Sequence, residues 1–458
     1  MTKGHKMTRD EFRERELEIL RAAVDATEKD KAREVVNAPA VKQIIGIVEA
    51  YLKKKKLVCY GGTAINNILP ADDQFYDKDL EIPDYDFFSP QALDDAKQLA
   101  DIYAKKGYDE VEAKAGVHFG TYKVFVNFIP VADVTQIDPD LFKRIQKKAI
   151  EINGILYSPP NLLRMNMYLE MSRPAGDISR WEKVLKRLIL LNKNYPLRAA
   201  NCDPSTFRRT FEGTKEYSAK EIYRIVRDNF VKQGVVFFGG YANHLYGKYM
   251  PKQALKIDAK LPDFDVLSTN PEKSAQAVKK ALTTAGLKDV SIKSREGIHE
   301  LLADHYEVRV GKDTVAFIYR PLACHSYNVL KSDKKEVKVA TIDTMMNLYL
   351  SFIFADRDYY DTDRILCMAE YLFRVQAANR LEQKSILKRF STSCYGKQTT
   401  LEDMRAEKTA KHKELKRGTR EYEEHFLKYV PDKKKKSKSK TVSNKKSSRK
   451  NSKTRKSK

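Results

Sequence analysis

Apolar positions in residues 9–36 recur at helical spacing, with Phe12, Leu17, Ile19, Leu20, Ala23 and Val24 forming a stripe along one side. VKQIIGIVEAYLKKKK (41–56) reads as a second amphipathic helix. The short apolar run LVCY (57–60) then reads as a strand ending at Gly61-Gly62. AINNIL (64–69) continues as helix, YDFF (85–88) as a short strand, and PQALDDAKQLADIYAKKGY (90–108) as a clear helix. TYKVFVNFIPVADVT (121–135) alternates and is rich in β-branched and aromatic residues, which predicts one strand. A long helical pattern runs from Asn161 to Asn194 and is interrupted at Pro174.

The pattern then repeats. VVFFGGYANHLYG (235–247) echoes LVCYGGTAINNIL (57–69), and LPDFDVLS (261–268) echoes IPDYDFFS (82–89). MMNLYLSFIFADRDYYDTDRIL, from Met345, echoes RMNMYLEMSRPAGDISRWEKVL, from Arg164. The offset is 178 residues at the glycines (61 to 239), 179 at the acids (84 to 263) and 181 at the Met-Asn pair (165 to 346). So steady an offset through separate motifs points to a tandem duplication of one α/β (α+β) module of about 180 residues. The expected division is an N-terminal helical segment (1–40), a first module (41–195), a second (196–390), a helical extension (391–432) and a Lys/Ser-rich tail (433–458).

Charge adds a partner class. The chain of 458 residues carries a net +24, and its last 26 residues hold 14 Lys/Arg and no acid. Such a tail is expected to be disordered, serving as a phosphate tether or as a localisation and solubility segment. The body keeps about +10, ordinary for an enzyme acting on nucleic acid. No apolar run is long enough to cross a bilayer, and the N-terminus has no apolar signal core, so a cytosolic compartment is expected. Five scattered cysteines without a CxxC pair argue against a disulfide framework and against a cysteine-based zinc site. His299 and His305 lack a partnered acid and read as structural or solvated rather than metal ligands.

The candidate chemistry sits in the first module. Asp84 and Asp86 flank Tyr85 on a strand, so their side chains share one face. Two carboxylates this close repel unless a cation neutralises them, and hard divalent ions such as Mg²⁺ or Mn²⁺ take oxygen ligands and bridge to phosphates. Asp133 ends a neighbouring strand and would reach the same face, giving three acids able to hold two metal ions. Gly61 and Gly62 would let the backbone approach a triphosphate, with the following helix N-terminus and the Thr63 hydroxyl as donors. Singly, a glycine pair is an ordinary turn and a DxD an ordinary surface; their order on the expected elements makes the set specific. No GxxxxGK[ST] occurs, which excludes a P-loop ATPase.

This arrangement resembles the polymerase-beta-like nucleotidyltransferase superfamily. More closely, CYGGTAINNILP, IPDYDFFSP, YKVFVNFIPVADVT and SRPAGDISRWEKVLKRLILLN resemble the poly(A) polymerase catalytic subunits of large cytoplasmic DNA viruses. The resemblance covers roughly 40–390 and is strongest in 57–195. It implies template-independent addition of AMP from ATP to RNA 3′ ends, with Gly61, Gly62 and Thr63 handling the nucleotide. Asp84, Asp86 and Asp133 would hold the catalytic metals, and Asp133 would help activate the attacking hydroxyl. Asn166, Arg180 and Lys183 would face the base or triphosphate, or else belong to an amphipathic helix with a solvated basic face. The resemblance also implies a viral protein of the host cytoplasm (the viral factory) and of the virion. Poxvirus relatives work with a separate processivity subunit, a partner the resemblance leaves open for this chain. The alternatives are another RNA nucleotidyltransferase, tRNA end-adding or oligoadenylate-synthesising, or a non-catalytic RNA-binding scaffold.

The second module keeps Gly239, Gly240, Asp263 and Asp265. Aligning TVAFIYRPLACHSY (314–327) with VFVNFIPVADVTQI (124–137) puts Cys324 near the place of Asp133, and Tyr241 replaces Thr63 with a bulky ring. A neutral cysteine is a poor Mg²⁺ ligand, so this module reads as a degenerate copy kept for support, RNA binding or homodimerisation.

Overall fold

Two eight-stranded sheets with one shared strand order organise the chain. The computed structural model describes residues 8–199, 202, 213–250, 262–298, 301–332 and 335–432. His299 and the basic tail at 433–458 lie outside the described residues.

Two helices lead in, α1 (Arg9–Asn37) and α2 (Pro39–Lys55). The first module follows as β1 (Val58–Cys59), α3 (Gly61–Ile68), β2 (Tyr85–Ser89), α4 (Ala92–Lys105), β3 (Val111–Ala115), β4 (Thr121–Val126) and β5 (Ile129–Gln136). It continues with α5 (Pro139–Lys147), β6 (Ile150–Ile152), β7 (Ile155–Tyr157), α6 (Pro160–Met171) and α7 (Trp181–Asn194). The second runs α8 (Ala219–Gln233), β8 (Val236–Phe238), α9 (Gly239–Tyr246), β9 (Phe264–Leu267), α10 (Pro271–Thr284), β10 (Val290–Arg295) and β11 (His305–Val310). Then come β12 (Asp313–Tyr319), β13 (His325–Ser332), β14 (Lys335–Ala340), α11 (Ile342–Ala355) and α12 (Thr362–Ala378). The C-terminal stretch adds β15 (Cys394–Tyr395), α13 (Leu401–Glu414), α14 (Arg420–Phe426) and β16 (Lys428–Tyr429).

The strand orders are β16-β3-β4-β5-β2-β1-β7-β6 and β10-β11-β12-β9-β8-β14-β13-β15. Without the edge strands β16 and β15 they superpose term by term, so the duplication legible in three motifs extends to the whole topology. In each sheet a parallel pair joins the strand carrying the DxD acids to a later strand, β2 with β5 and β9 with β12. The stretch 391–432 is shared: β15 pairs with β13, whereas β16 pairs with β3.

Two expectations are revised, on the hairpin and on the cysteines, and the first helix forms as expected but stands bare. TYKVFVNFIPVADVT is a hairpin rather than one strand, because Asn127 and Phe128 both take positive φ (50° and 66°) and turn β4 back onto β5. The apolar stripe of α1 is uncovered, with no residue of this helix buried; Phe12 is 60% and Ile19 67% exposed. Four cysteines pair as disulfides, Cys202 with Cys367 and Cys324 with Cys394, leaving Cys59 buried and free. Sequence spacing gave no sign of these pairs, which are 165 and 70 residues apart and are brought together by the fold. Among the described residues no single helix is long and apolar enough to cross a membrane.

The modules meet through their equivalent helices. α6 packs along α11, and the Asn347 side chain donates to the Met165 carbonyl at 3.2 Å. Beside this seam, Asp343 in the first turn of α11 is buried and held by the Arg389 guanidinium at 2.9–3.1 Å. Removing one partner of such a pair strands the other charge without water. Arg389→Ala is therefore expected to destabilise the protein by about 3–5 kcal/mol. Calorimetry checks this: a drop in Tm larger than any exposed lysine-to-alanine control is the expected result.

Candidate active site

At the end of β1 the chain turns through Gly61, whose φ is +73°. A side chain at Gly61 would run into the Asp86 carboxylate, and one at Gly62 into the Tyr76 hydroxyl and the Arg187 guanidinium. The glycine pair is what lets the start of α3 lie directly against the acids.

Asp84 precedes β2, and Asp86 is its second residue. The parallel register places Asp86 opposite Asp133 of β5. Alternation puts both on the half-exposed face of the sheet, while Tyr85, Phe87, Ala132 and Val134 fill the core behind. Burial raises the proton affinity of Asp84, and the Asp133 carboxylate adds to it. Burial likewise pushes Asp86 up to about 7, reinforced by Asp84 and Asp133 and opposed by Lys123 and Arg180.

Lys123 stands opposite Asp133 on β4 and ion-pairs with its Oδ2. Sequence reading missed this lysine, although it lies on the exposed side of an alternating strand. The other oxygen, Asp133 Oδ1, is buried with no hydrogen-bond partner. An orphaned carboxylate oxygen is costly to keep dry, and a hard cation would satisfy it. The donor set, three crowded carboxylates, thus fits Mg²⁺ or Mn²⁺ in chemistry. The three are not drawn into a ready ligand cluster, and among the described residues no group of three His, Cys, Asp or Glu side chains is.

Beside the acids opens a cleft of about 860 Å³ whose lining includes Gly62, Thr63, Tyr76, Asp84, Asp86 and Lys183. Gly61, Asp133, Asn166 and Arg180 are not part of that lining. Gly61 backs the Asp86 carboxylate, and Arg180 pairs with Glu170 at 3.3 Å while remaining near enough to act on Asp86. Asn166 is half-buried on α6. The Thr63 hydroxyl donates to the Asp84 carbonyl at 2.7 Å, so its proton braces the DxD segment instead of facing the cleft.

Two further residues went unread. Buried Asn66 accepts the backbone N–H groups of Phe75 and Tyr76 at 2.7 and 2.9 Å, pinning the loop before β2. Arg187 on α7 donates to the Tyr76 hydroxyl at 2.7 Å and lies over the Phe75 ring, 4.7 Å from its centroid. Its spacing was a usable signal: Arg180, Lys183 and Arg187 recur every three or four residues, one face of a helix.

Residues 46–177 match the poly(A) polymerase catalytic subunit family. A chain assigned as the poly(A) polymerase catalytic subunit of African swine fever virus (isolate Tick/Malawi/Lil 20-1/1983) is 31% identical over 181 residues, 38% of each chain. The corresponding chain of Acanthamoeba polyphaga mimivirus is 33% identical over 175 residues, covering 36% of this chain and 29% of that one. The alignments therefore span well under half the length of these curated relatives. The crystal structure of the Megavirus polyadenylate synthase superposes with a TM-score of 0.74 over 90% of this chain and 86% of that one, at 19% identity. At that identity the likeness is one of fold.

The family match ends before the second module, and the register there corrects the alignment made from sequence. Phe317 of β12, not Cys324, lies opposite Asp265 where the first module has Asp133. Cys324 falls beyond the strand end and is disulfide-bonded. Glu307 occupies the place of Lys123 and is held by Arg295 at 2.5 Å and Thr314 at 2.6 Å. Tyr241 does not crowd a phosphate site; its ring packs into the core against Phe237 and Phe264. His305 is a core histidine, its ring nitrogens 3.0 Å from the Ala303 carbonyl and 3.1 Å from the Tyr359 hydroxyl.

Because folded Asp86 titrates near 7 and an unfolded aspartate near ~3.9, the folded chain holds a proton that the unfolded chain has released between those values. This carboxyl's contribution to stability therefore falls as pH rises through that window and is lost above about 7. A divalent cation offsets the repulsion only once the proton has left. The rise in Tm on adding Mg²⁺ should accordingly be small near pH ~5.5, larger near pH ~8, and absent in Asp84→Ala/Asp86→Ala. Scanning fluorimetry across pH checks it; a Tm gain independent of pH would count against carboxylate binding.

Proposed function

We propose that the protein is a template-independent poly(A) polymerase that adds AMP from ATP to RNA 3′ ends. The observation carrying this reading is the register of Asp86 against Asp133, with the orphaned Asp133 Oδ1 and the close glycine turn beside it. The match of residues 46–177 and the Megavirus fold support it.

Asp84, Asp86 and Asp133 would hold Mg²⁺ or Mn²⁺, which supplies Lewis-acid stabilisation of the transferring phosphoryl group. The remaining work falls to the chain itself. The backbone at Gly61 and Gly62 brings the N-terminus of α3 against the triphosphate. Lys183 lines that end of the cleft with positive charge, and the Arg187 guanidinium lies beside Gly62 without being part of the lining; it is buried on neutral partners, and none of the ion pairs among the described residues involves it. Lys123, released from Asp133 as substrates enter, leaves a carboxylate able to accept the proton of the RNA 3′-hydroxyl. Arg180, which pairs with Glu170, and half-buried Asn166 lie outside the cleft lining and would face the base or the triphosphate. A regulatory subunit and a site in the host cytoplasm accord with the catalytic-subunit resemblance and belong to this proposal.

Asp86→Asn and Asp133→Asn should each lower the rate of AMP addition by about a hundredfold or more, the usual cost of losing a transition-state interaction. Arg187→Ala should raise the KM for ATP by about tenfold or more, as a charge-assisted contact to phosphate is lost. Incubating purified protein with RNA and each labelled nucleotide is the direct assay. Incorporation of another nucleotide in preference to ATP, or none at all, would reject the poly(A) reading.

A further inference from the structure

The face of the first sheet that carries the acids does not stop at them. Asp86 is opposite Asp133, Asp133 opposite Lys123, Lys123 opposite Lys114 of β3, and Lys114 opposite Lys428 of β16. Residues paired across strands project from the same face, so these five side chains form one row crossing the sheet. Burial agrees at every step: Lys123 and Lys114 are half-exposed and Lys428 exposed, while Val124, Ala113 and Leu427 next to them are buried. The row is acidic at the catalytic end and basic from there to the edge.

Aromatic surface accompanies the charge. Lys114 lies 4.1 Å from the centroid of the Phe125 ring and 3.3 Å from Glu112, the acid that shares its strand. Beside the acids, Tyr60 stacks on Phe88 at 4.1 Å, and its hydroxyl reaches Thr135 at 2.8 Å. Basic groups spaced along a face with rings beside them suit a single strand of nucleic acid, whose phosphates meet the lysines and whose bases find flat partners.

The second module lacks the row. Its equivalent positions read Asp265, Phe317, Glu307 and Lys293, so an acid interrupts the basic run and a ring replaces the third aspartate.

We propose that single-stranded RNA approaches the active site along this row, with the segment upstream of its 3′ end crossing Lys123, Lys114 and Lys428. This deepens the polymerase reading and rests on it. Three strand spacings of ~4.8 Å put Lys428 about 14 Å from Asp133, the length of about four stacked nucleotides. The C-terminal strand thereby serves the catalytic module as the outer end of its RNA path.

The test uses the full chain, tail included, so that the tail contributes equally to every protein compared. Binding of a labelled single-stranded RNA of about ten nucleotides is followed by anisotropy in EDTA, without ATP, over a range of salt concentrations. Lys114→Gln/Lys428→Gln should bind on the order of tenfold more weakly at low salt, with a salt slope shallower by about 1.4, since each phosphate contact contributes ~0.7. Lys114→Arg/Lys428→Arg should restore both, and Lys293→Gln should change neither. In single-nucleotide addition the glutamine variant should raise the KM for the longer RNA at unchanged kcat, and leave a dinucleotide acceptor unaffected. Unchanged affinity and slope in a folded Lys114→Gln/Lys428→Gln protein would overturn the proposal. Wild-type protein that binds RNA through these lysines but adds no nucleotide would overturn the polymerase reading and leave the RNA path standing.

Discussion

The parallel pairing of β2 with β5 is the constraint on which the site depends. It sets Asp86 and Asp133 side by side on a face backed by a dry core, where neither carboxylate can turn away. Like charges held in that way are tolerable only with compensation nearby. Lys123 provides part of it from the next strand, and the remaining deficit is read in the raised proton affinity of Asp86 and the orphaned Asp133 oxygen, groups that a hard cation would satisfy. The glycine turn follows from the same crowding, because any side chain at Gly61 would displace the Asp86 carboxylate.

The second sheet shows the same scaffold once that constraint is relaxed. Phe317 removes the repulsion opposite Asp265, and Glu307, neutralised by Arg295, takes the position where a lysine would otherwise answer an acid. Gly239 nonetheless keeps its positive φ against Asp265, so the backbone of the turn has outlived the acid pair it accompanies in the first sheet. What the second copy retains is a helix, α11, with which α6 can pack.

The glycine turns, the DxD strand and the repeat were legible because each is a local pattern with a steady offset. Strand order could not be read from periodicity, since pairing between β3 and β16 or β8 and β14 joins distant segments. The hairpin at Asn127 and Phe128 was hidden because neither residue is a glycine, although both adopt left-handed φ. Placing Cys324 at the third-acid position failed for a related reason: a gapped alignment counts residues along the chain, while the site is set by register across strands. Arg187 and Lys123 were visible as charges, but only the fold shows that one flanks the glycine turn and the other the third acid. The disulfides had no local signature.

The edge strand β16 has a consequence for how the chain matures. Lys97 meets Glu423 at 2.6 Å, Arg420 meets Asp94 at 2.9 Å and the Tyr429 hydroxyl meets Asp101 at 2.7 Å, contacts that join residues more than 300 apart in sequence. During synthesis the first sheet must wait, with the edge of β3 unpaired, while the whole second module is made. An open strand edge invites pairing with other chains. A chain cut short before Lys428 would keep that edge of β3 open, so truncation in the second half would be felt first as a tendency to associate.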